Sequence, residues 1–495
     1  MLAAGKGVAF EQSDGFTLRY DQVLGIVGRF ANTLVALGVK PGDRVMVQAE
    51  KSITSVCIYL ATLKVGAVYN PLNTAYTTAE LDYFITDAEP AILLVSKAAK
   101  PSLAALPAAK GIRAIETLEA DGTGSILDLA FKQGDVHRTM PRAPNDLAAL
   151  LYTSGTTGRS KGAMITHENL VSNVETLCKS WGFSNTDVLL HALPIFHVHG
   201  LFVALHTALL AGAKILWHTK FDLAAVLADL PKATVMMGVP TFYTRMLGSP
   251  ALTKDACRKL RLVVAGSAPL LAETHVEFKA RTGLEIVERY GMTETGMITS
   301  NPYNEGARIA GSVGFALPGI SVRIATAEGK PLPAGETGVL EVKGPNVFSG
   351  YWRNAEKTKD EFRSDGYFIS GDLATMAADG RVAIVGRAKD LIISGGFNVY
   401  PKEIEDEINA IPGIGEAAVI GLPHPDFGEG VAAVVTGGAG QQAPLEQEIM
   451  ARLGTRLAKF KLPKRVFVVA ELPRNAMGKV QKAELRKTYD ATFKS

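Results

Sequence analysis

The sequence predicts an α/β fold with a large multi-sheet N-terminal domain, a β-rich subregion within it, and a small α+β C-terminal domain. Three observations predict it. Short β-rich runs alternate with helical patterns through most of the chain, which calls for a parallel or mixed sheet covered by helices. Past Gly335 the texture changes to short strands and turns. From about Asp390 a helix, two strands, a second helix and a last strand follow, enough for a separate domain of about 105 residues. The 495 residues, at about 150 per domain, allow more than one domain and a sizeable core.

In chain order, Arg44–Gln48 reads as a strand. Thr77 and Glu80 form a capping box that opens a helix, since each side chain satisfies the other's free backbone N–H, and an apolar strand at 91–96 follows. Similar buried runs recur at 147–152, 188–190, 234–237 and 262–265. The apolar stretch 201–213 is interrupted by His206 and is shorter than the roughly 18 residues that span a bilayer, so it predicts a buried helix. Strands are expected at 338–343 and 380–385. The C-terminal pattern gives a helix at 402–411, strands at 417–420 and 431–435, a surface loop of small residues at 436–443, a helix at 445–459 and a strand at 465–469.

Lys and Arg number 52 against 49 Asp and Glu, a net charge of +3. That excludes an electrostatic footprint for nucleic acid or an anionic membrane, so phosphate binding has to be local. With 47% hydrophobic and 20% charged residues, 49 Gly and 24 Pro, disorder and collagen-like structure are excluded as well. Cys57, Cys178 and Cys257 are odd in number and far apart, matching neither a disulfide framework nor zinc spacing. With no secretory layout in the first ten residues, a reducing cytoplasm is the expected compartment.

The strongest local signal is Thr153-Ser154-Gly155-Thr156-Thr157-Gly158-Arg159-Ser160-Lys161-Gly162, directly after a strand. Its glycines let backbone N–H groups approach a polyphosphate, its hydroxyls add donors and Lys161 adds charge. The spacing is not that of a Walker A loop. A flexible surface loop is the alternative for this segment alone.

This loop, Tyr290-Gly291-Met292-Thr293-Glu294, Ser370-Gly371-Asp372, Gly386-Arg387-Ala388-Lys389-Asp390 and Pro473-Arg474-Asn475-Ala476-Met477-Gly478-Lys479 stand in the order seen in adenylate-forming enzymes. Over nearly its whole length the chain resembles their acyl-CoA synthetase branch. Within it, 191–200, 238–245 and 266–270 look most like malonyl-CoA synthetases. The chain begins later than such proteins usually do, so a short further N-terminal segment is expected.

The resemblance implies ligation of malonate or methylmalonate to coenzyme A, with ATP and Mg²⁺ required, through an acyl-adenylate that releases pyrophosphate and then AMP. It makes 1–386 the AMP-binding and substrate domain, 387–389 a hinge centred on Lys389, and 390–495 a mobile C-terminal domain. Nucleotide contacts fall on Thr153, Ser154, Gly155, Thr156, Thr157, Gly158, Lys161, Gly266, Ser267, Ala268, Glu288, Arg289, Tyr290, Gly291, Met292, Thr293, Asp372, Arg387 and Lys479. Tyr290 suits stacking on adenine, Asp372 can accept both ribose hydroxyls, and the planar fork of Arg387 can donate to ribose or phosphate.

Glu294 with Thr153 is the expected Mg²⁺ site, because a hard cation prefers oxygen. A carboxylate at a helix N-terminus is the plainer reading of Glu294. Lys479, Glu294 and Lys161 are the expected catalytic groups, with Lys479 bridging the substrate carboxylate and the α-phosphate as charge builds. Ser394, Gly395 and Gly396 would let the pantetheine arm of coenzyme A pass close to backbone.

A second, ionised carboxylate needs a cation in the pocket, because burying it alone costs several kcal/mol. Arg245 is the candidate, with His197, His199 and Ser267 beside it by resemblance. Two His at that spacing without a third ligand do not make a zinc site. The expected partners are therefore a small dicarboxylate, ATP and coenzyme A, without nucleic acid or membrane, and an acetyltransferase acting on Lys479. The alternatives are a ligase for another short acid and a nucleotide-binding relative without activity.

Overall fold

The structure, a computed structural model, describes residues 5, 7–153, 160–304, 306–395, 397–438, 444–475 and 478–493. Among them the N-terminal part is built on two large sheets. One has six strands in the order Ala114–Thr117, Ile92–Val95, Arg44–Gln48, Val68–Pro71, Leu147–Thr153, Lys161–Thr166. It is parallel until its last pair, which turns back antiparallel with Thr153 opposite Lys161. The other has nine strands, with Val287–Met292, Leu262–Ala265, Val235–Gly238, Val188–His191 and Lys214–Trp217 as its parallel centre. Parallel strands buried on both faces read as continuous apolar runs, which is why the strands at 92–95, 188–191, 235–238 and 262–265 were visible in the sequence; Val68–Pro71, Lys214–Trp217 and Val287–Met292 were not expected.

One hydrophobic core joins both sheets. It takes in Val45, Leu94 and Ala149 from the first, Leu189, Val235 and Leu262 from the second, and Tyr59 and Phe30 from helices Ile53–Lys64 and Tyr20–Ala36. The capping box at Thr77 is present: Glu80 Oε2 accepts from the Thr77 N–H at 2.8 Å and starts the helix Thr78–Ala88.

The β-rich subregion is an antiparallel sheet of Ser321–Ala325, Gly338–Lys343, Phe368–Met376 and Val382–Arg387. Its last strand begins two residues later than expected, because Asp379 and Gly380 make the hairpin turn, with Gly380 at φ +87°. The C-terminal domain has a five-stranded sheet in which Ile414–His424 pairs Gly428–Gly437, and Arg465–Val469 joins in parallel. Alternation along these strands sends Val419, Val431 and Ala433 to one face, under helices Pro401–Asn409 and Glu446–Leu453. It sends Ala418, Ile420, Ala432 and Val434 to the other, under Leu472 and Leu485.

Two expectations are corrected here. The helix expected at 445–459 stops at Leu453, because Gly454 follows it; Thr436 and Gly437 complete a strand instead of opening a loop. The helix expected at 201–213 exists and is buried, but it begins with π-helical turns over His199–Leu205 before the α-helix His206–Ala211. Among the described residues no helix is long and apolar enough to cross a membrane.

The C-terminal domain meets the large one at the loop before Lys479. Gly478, at φ +73°, lies against the helix Pro240–Leu247, where an added Cβ would stand 3.3 Å from Thr241 Oγ1.

Candidate active site

Asp372 and Arg387 stand opposite each other on neighbouring strands, and the ladder between Phe368–Met376 and Val382–Arg387 brings Arg387 Nε to 2.8 Å from Asp372 Oδ1. The buried Asp372 accepts at its other oxygen from the Tyr290 hydroxyl. Burial and the Asp372 charge push the Tyr290 phenol well up, so it stays a donor. Tyr290, Asp372 and Arg387 are thus brought together. Tyr290 ends the regular part of Val287–Met292, whose next residue, Gly291, has no room for a side chain: a Cβ there would lie 2.1 Å from Gly296 O.

That close approach makes the hairpin whose tip, residues 293–295, presents Glu294. No helix begins there, so the helix-dipole reading of Glu294 is excluded by the hairpin. Its carboxylate is 6% exposed, and burial raises its pKa. Tyr351 places one phenol between two carboxylates, 3.2 Å from Glu294 Oε1 and 2.6 Å from Glu361 Oε2. Glu361 in turn meets Lys161 at 3.6 Å and Lys357 at 2.8 Å, with the Lys161 ammonium 4.8 Å from the centre of the Tyr351 ring.

Among the described residues Glu294 has no cation at ion-pair distance, and Thr153 Oγ1 has only a 3.5 Å contact to Lys161 O. A buried carboxylate without a cation among the described residues and a hydroxyl with one long contact are oxygen groups of the kind that fit a hard divalent ion. No group of three His, Cys, Asp or Glu that could hold a metal exists among the described residues, so an ion here would draw its remaining ligands from water and phosphate. Ser154, Gly155, Thr156, Thr157 and Gly158 lie outside the described residues.

A second cluster lies on the other side of the strand. Successive side chains alternate faces, so Glu288 turns to His275, 3.8 Å away, and to the N–H of Gly311, while Arg289 turns into the protein under Gly266. A Cβ on Gly266 would stand 2.3 Å from Arg289 Cζ, which is why glycine is required. Arg289 is 4% exposed, its Nε and Nη2 have no partner among the described residues, and burial pulls its pKa down to about 9.

Ser267, held at φ +71°, a strained backbone that cores seldom keep without a use, meets His199 Nδ1 at 3.2 Å. The buried His199 Nε2 has no partner among the described residues. Burial holds His199 well below the usual histidine range, and burial with Lys479 and Arg289 brings His197 down to about 3. Both imidazoles are neutral at pH 7.

Lys479, its pKa lowered most by burial, feels the charges of Arg387 and Asp372 from one cluster and Arg289 from the other. Its loop is pinned by Asn475 N–H to Lys479 O at 3.0 Å and by Arg474 to Gly478 O at 2.6 Å.

Arg245 is not brought to this place. It is exposed on the helix Pro240–Leu247, its guanidinium 5.0 Å from the Phe221 ring, which stacks on Phe242. Arg289, expected at the nucleotide, lies under Gly266, on the opposite face of the strand from Glu288 and Tyr290. Tyr351 and Glu361 were not foreseen, and only the aromatic pair after Gly350 hints at them. Ser394 and Gly395 have their partners in the C-terminal sheet, Gly428 and the Phe427 carbonyl, so this loop is not gathered with the nucleotide cluster; Gly396 lies outside the described residues. Lys389 is exposed on a short turn, Ala388–Asp390, beside an Arg486–Asp390 ion pair of 2.7 Å.

The family model of the AMP-binding enzymes matches residues 4–352, and that of the AMP-binding enzyme C-terminal domain matches 403–479. The chain belongs to the AMP-binding enzyme family and is an AMP-forming acid–thiol ligase. It is 36% identical to a feruloyl-CoA synthase of Amycolatopsis sp, covering 96% of this chain and 94% of that one. It is 34% identical to a malonate–CoA ligase of Arabidopsis thaliana, covering 92% and 79%. The crystal structure of ATP-bound MatB from Rhodopseudomonas palustris is 54% identical over 100% of this chain and 98% of that one, with a TM-score of 0.97, against 0.85 for apo MatB. ATP and coenzyme A are the co-substrates that the family brings.

Proposed function

We propose that the enzyme couples a small dicarboxylate, malonate or methylmalonate, to coenzyme A. The observation that carries the reading is Arg289, a buried guanidinium with two donors that have no partner among the described residues, its charge felt by two neutral histidines. Such a group costs stability unless an anion completes it, and a second carboxylate does so where an aryl or alkyl tail would not. The identities to MatB and to a malonate–CoA ligase support the same reading.

In the first step one carboxylate oxygen attacks the α-phosphorus of ATP and pyrophosphate leaves. In the second, the coenzyme A sulfur attacks the acyl carbon and AMP leaves with its oxygen. Lys479 faces both the acid cluster and the nucleotide cluster, so its ammonium stabilises the charge that grows between them. Asp372 and Arg387 orient the ribose and phosphate, with Tyr290 against the adenine. A Mg²⁺ ion held by Glu294 and Thr153 would neutralise phosphate charge. The 153–161 loop cradles the phosphates, Lys161 exchanging Glu361 for them.

Lys389 as the hinge between 1–386 and 390–495, and Ser394 to Gly396 as the coenzyme A passage, complete the reading. An acetyltransferase modifying Lys479 would remove that charge. The compartment is the reducing cytoplasm, in keeping with three free cysteines. The test is ATP–pyrophosphate exchange. Malonate should drive it strongly in the wild type and weakly in Arg289→Met, while the low exchange with acetate changes little; equal losses with both acids would remove the role of Arg289.

A further inference from the structure

Lys51 lies between the strand Arg44–Gln48 and the helix Ile53–Lys64 and is 6% exposed. No carboxylate pairs with it among the described residues. Its ammonium meets three acceptors from the other large sheet: His191 Nδ1 at 2.9 Å, His191 O at 2.9 Å and His218 O at 2.5 Å. The Trp217 ring closes the fourth side, 4.1 Å from ring centre to Nζ. Burial lowers the Lys51 pKa, yet only an ammonium has three protons for three acceptors.

The far side of the same imidazole reaches the acid cluster. His191 Nε2 is 2.9 Å from the Gly200 carbonyl, in the π-helical turns His199–Leu205, whose wider winding displaces carbonyls from the usual ladder. Gly200 itself is wedged, since a Cβ there would lie 2.1 Å from Pro194 O. A neutral imidazole has one donor and one acceptor. With Lys51 donating to Nδ1, the proton must sit on Nε2 and point at Gly200 O. Without Lys51 the other tautomer becomes open, and Nε2 would set a lone pair against that carbonyl. The next residue back from Gly200 is His199, bonded to Ser267.

We propose that Lys51 is a positioning residue for the acid pocket: through His191 it fixes the hydrogen bond that holds the turn carrying His199. The inference rests on the reading that His199, Ser267 and Arg289 receive the acid. It adds a residue from the segment after a strand of the six-stranded sheet, about which nucleotide and acid contacts say nothing, and makes acid binding depend on the seam between the two sheets.

The experiment measures KM for malonate and for ATP, with kcat and thermal midpoint, on the full chain in Lys51→Met, His191→Gln, His191→Asn, His199→Ala and the Lys51→Met/His199→Ala double variant. Lys51→Met should raise the malonate KM about tenfold, one hydrogen bond's worth, with the ATP KM unchanged. The double variant should be no worse than His199→Ala alone. His191→Gln, whose amide nitrogen reaches where Nε2 stood, should keep malonate binding better than the shorter His191→Asn. Malonate and ATP KM rising together in step with a lower midpoint would mean a merely structural lysine and overturn the proposal.

Should Lys51→Met fail to fold, the histidine pair decides, and equal malonate KM values in the two overturn it. If His199→Ala leaves the malonate KM unchanged, the pocket reading falls and this proposal with it. If His199→Ala is impaired and Lys51→Met is not, only this proposal falls.

Discussion

At the scale of single residues the question is why a protein keeps a guanidinium buried with idle donors. Removing one member of a buried charged hydrogen-bond pair costs about 3 kcal/mol, so Arg289→Met should lower kcat/KM for the diacid about a hundredfold. Arg245→Ala, exposed over Phe221, should lower it far less; the reverse ranking, read in the same steady-state assay, would restore Arg245. The sequence carried both arginines equally well. What separated them was burial, and burial at one strand position depends on which face the neighbouring strand covers, which no local pattern encodes.

Buried histidines give a pH prediction. Burial brings His206 to about 3, and burial with Lys479 and Arg289 does the same to His197; His191 and His199 are also well lowered. Between about pH 6.5 and 3 the unfolded chain takes up protons that these folded groups refuse, so their contribution is intact above pH 6.5 and lost as pH falls, at up to about 1.4 kcal/mol per histidine per pH unit. Glu288, raised to about 7 by burial, and Glu294, also raised, act in the opposite sense and are outnumbered. The thermal midpoint should drop between pH 7 and pH 5; a flat midpoint over that interval would contradict these assignments.

At the scale of elements, geometry is set where backbones touch. Gly291 lets the hairpin close against Gly296 and so sets Glu294; Gly291→Ala should destabilise by about 1–3 kcal/mol, the usual cost of forced overpacking, and should cut exchange activity even where the protein is folded. Full activity in a folded Gly291→Ala protein would mean that the turn does not place Glu294. The strands at 44–48, 147–153, 188–191, 235–238 and 262–265, the Thr77 capping box and three of the five C-terminal strands were legible because period, caps and apolar runs are local signals; Ile392–Ser394 and Phe397–Val399 were too short to show one. The π-helical turns at His199–Leu205 were not: their winding answers to His191 and Pro194, groups brought in by the tertiary fold. Nor was Tyr351 between Glu294 and Glu361, since its two partners come from separate segments, the 293–295 turn and the end of the helix Ala355–Asp360.

At the scale of the whole molecule, one lysine from the small domain feels the charges of two clusters on the large one. Lys479→Ala should abolish pyrophosphate exchange while thioester formation from preformed acyl-adenylate continues; equal damage to both half-reactions would end that division of labour. Gly478, one residue before Lys479, packs against Thr241 of the large domain. The order of motifs along the sequence made the two-domain plan readable, whereas the pairing of Lys479 with particular groups across the interface came only with the fold.

The most direct measurement is kcat/KM for AMP release with ATP, Mg²⁺ and coenzyme A across malonate, methylmalonate, acetate, benzoate and ferulate. The account predicts that one of the two diacids leads and that the three monocarboxylates fall far behind. Ferulate, benzoate or acetate turning over faster than both diacids would contradict it.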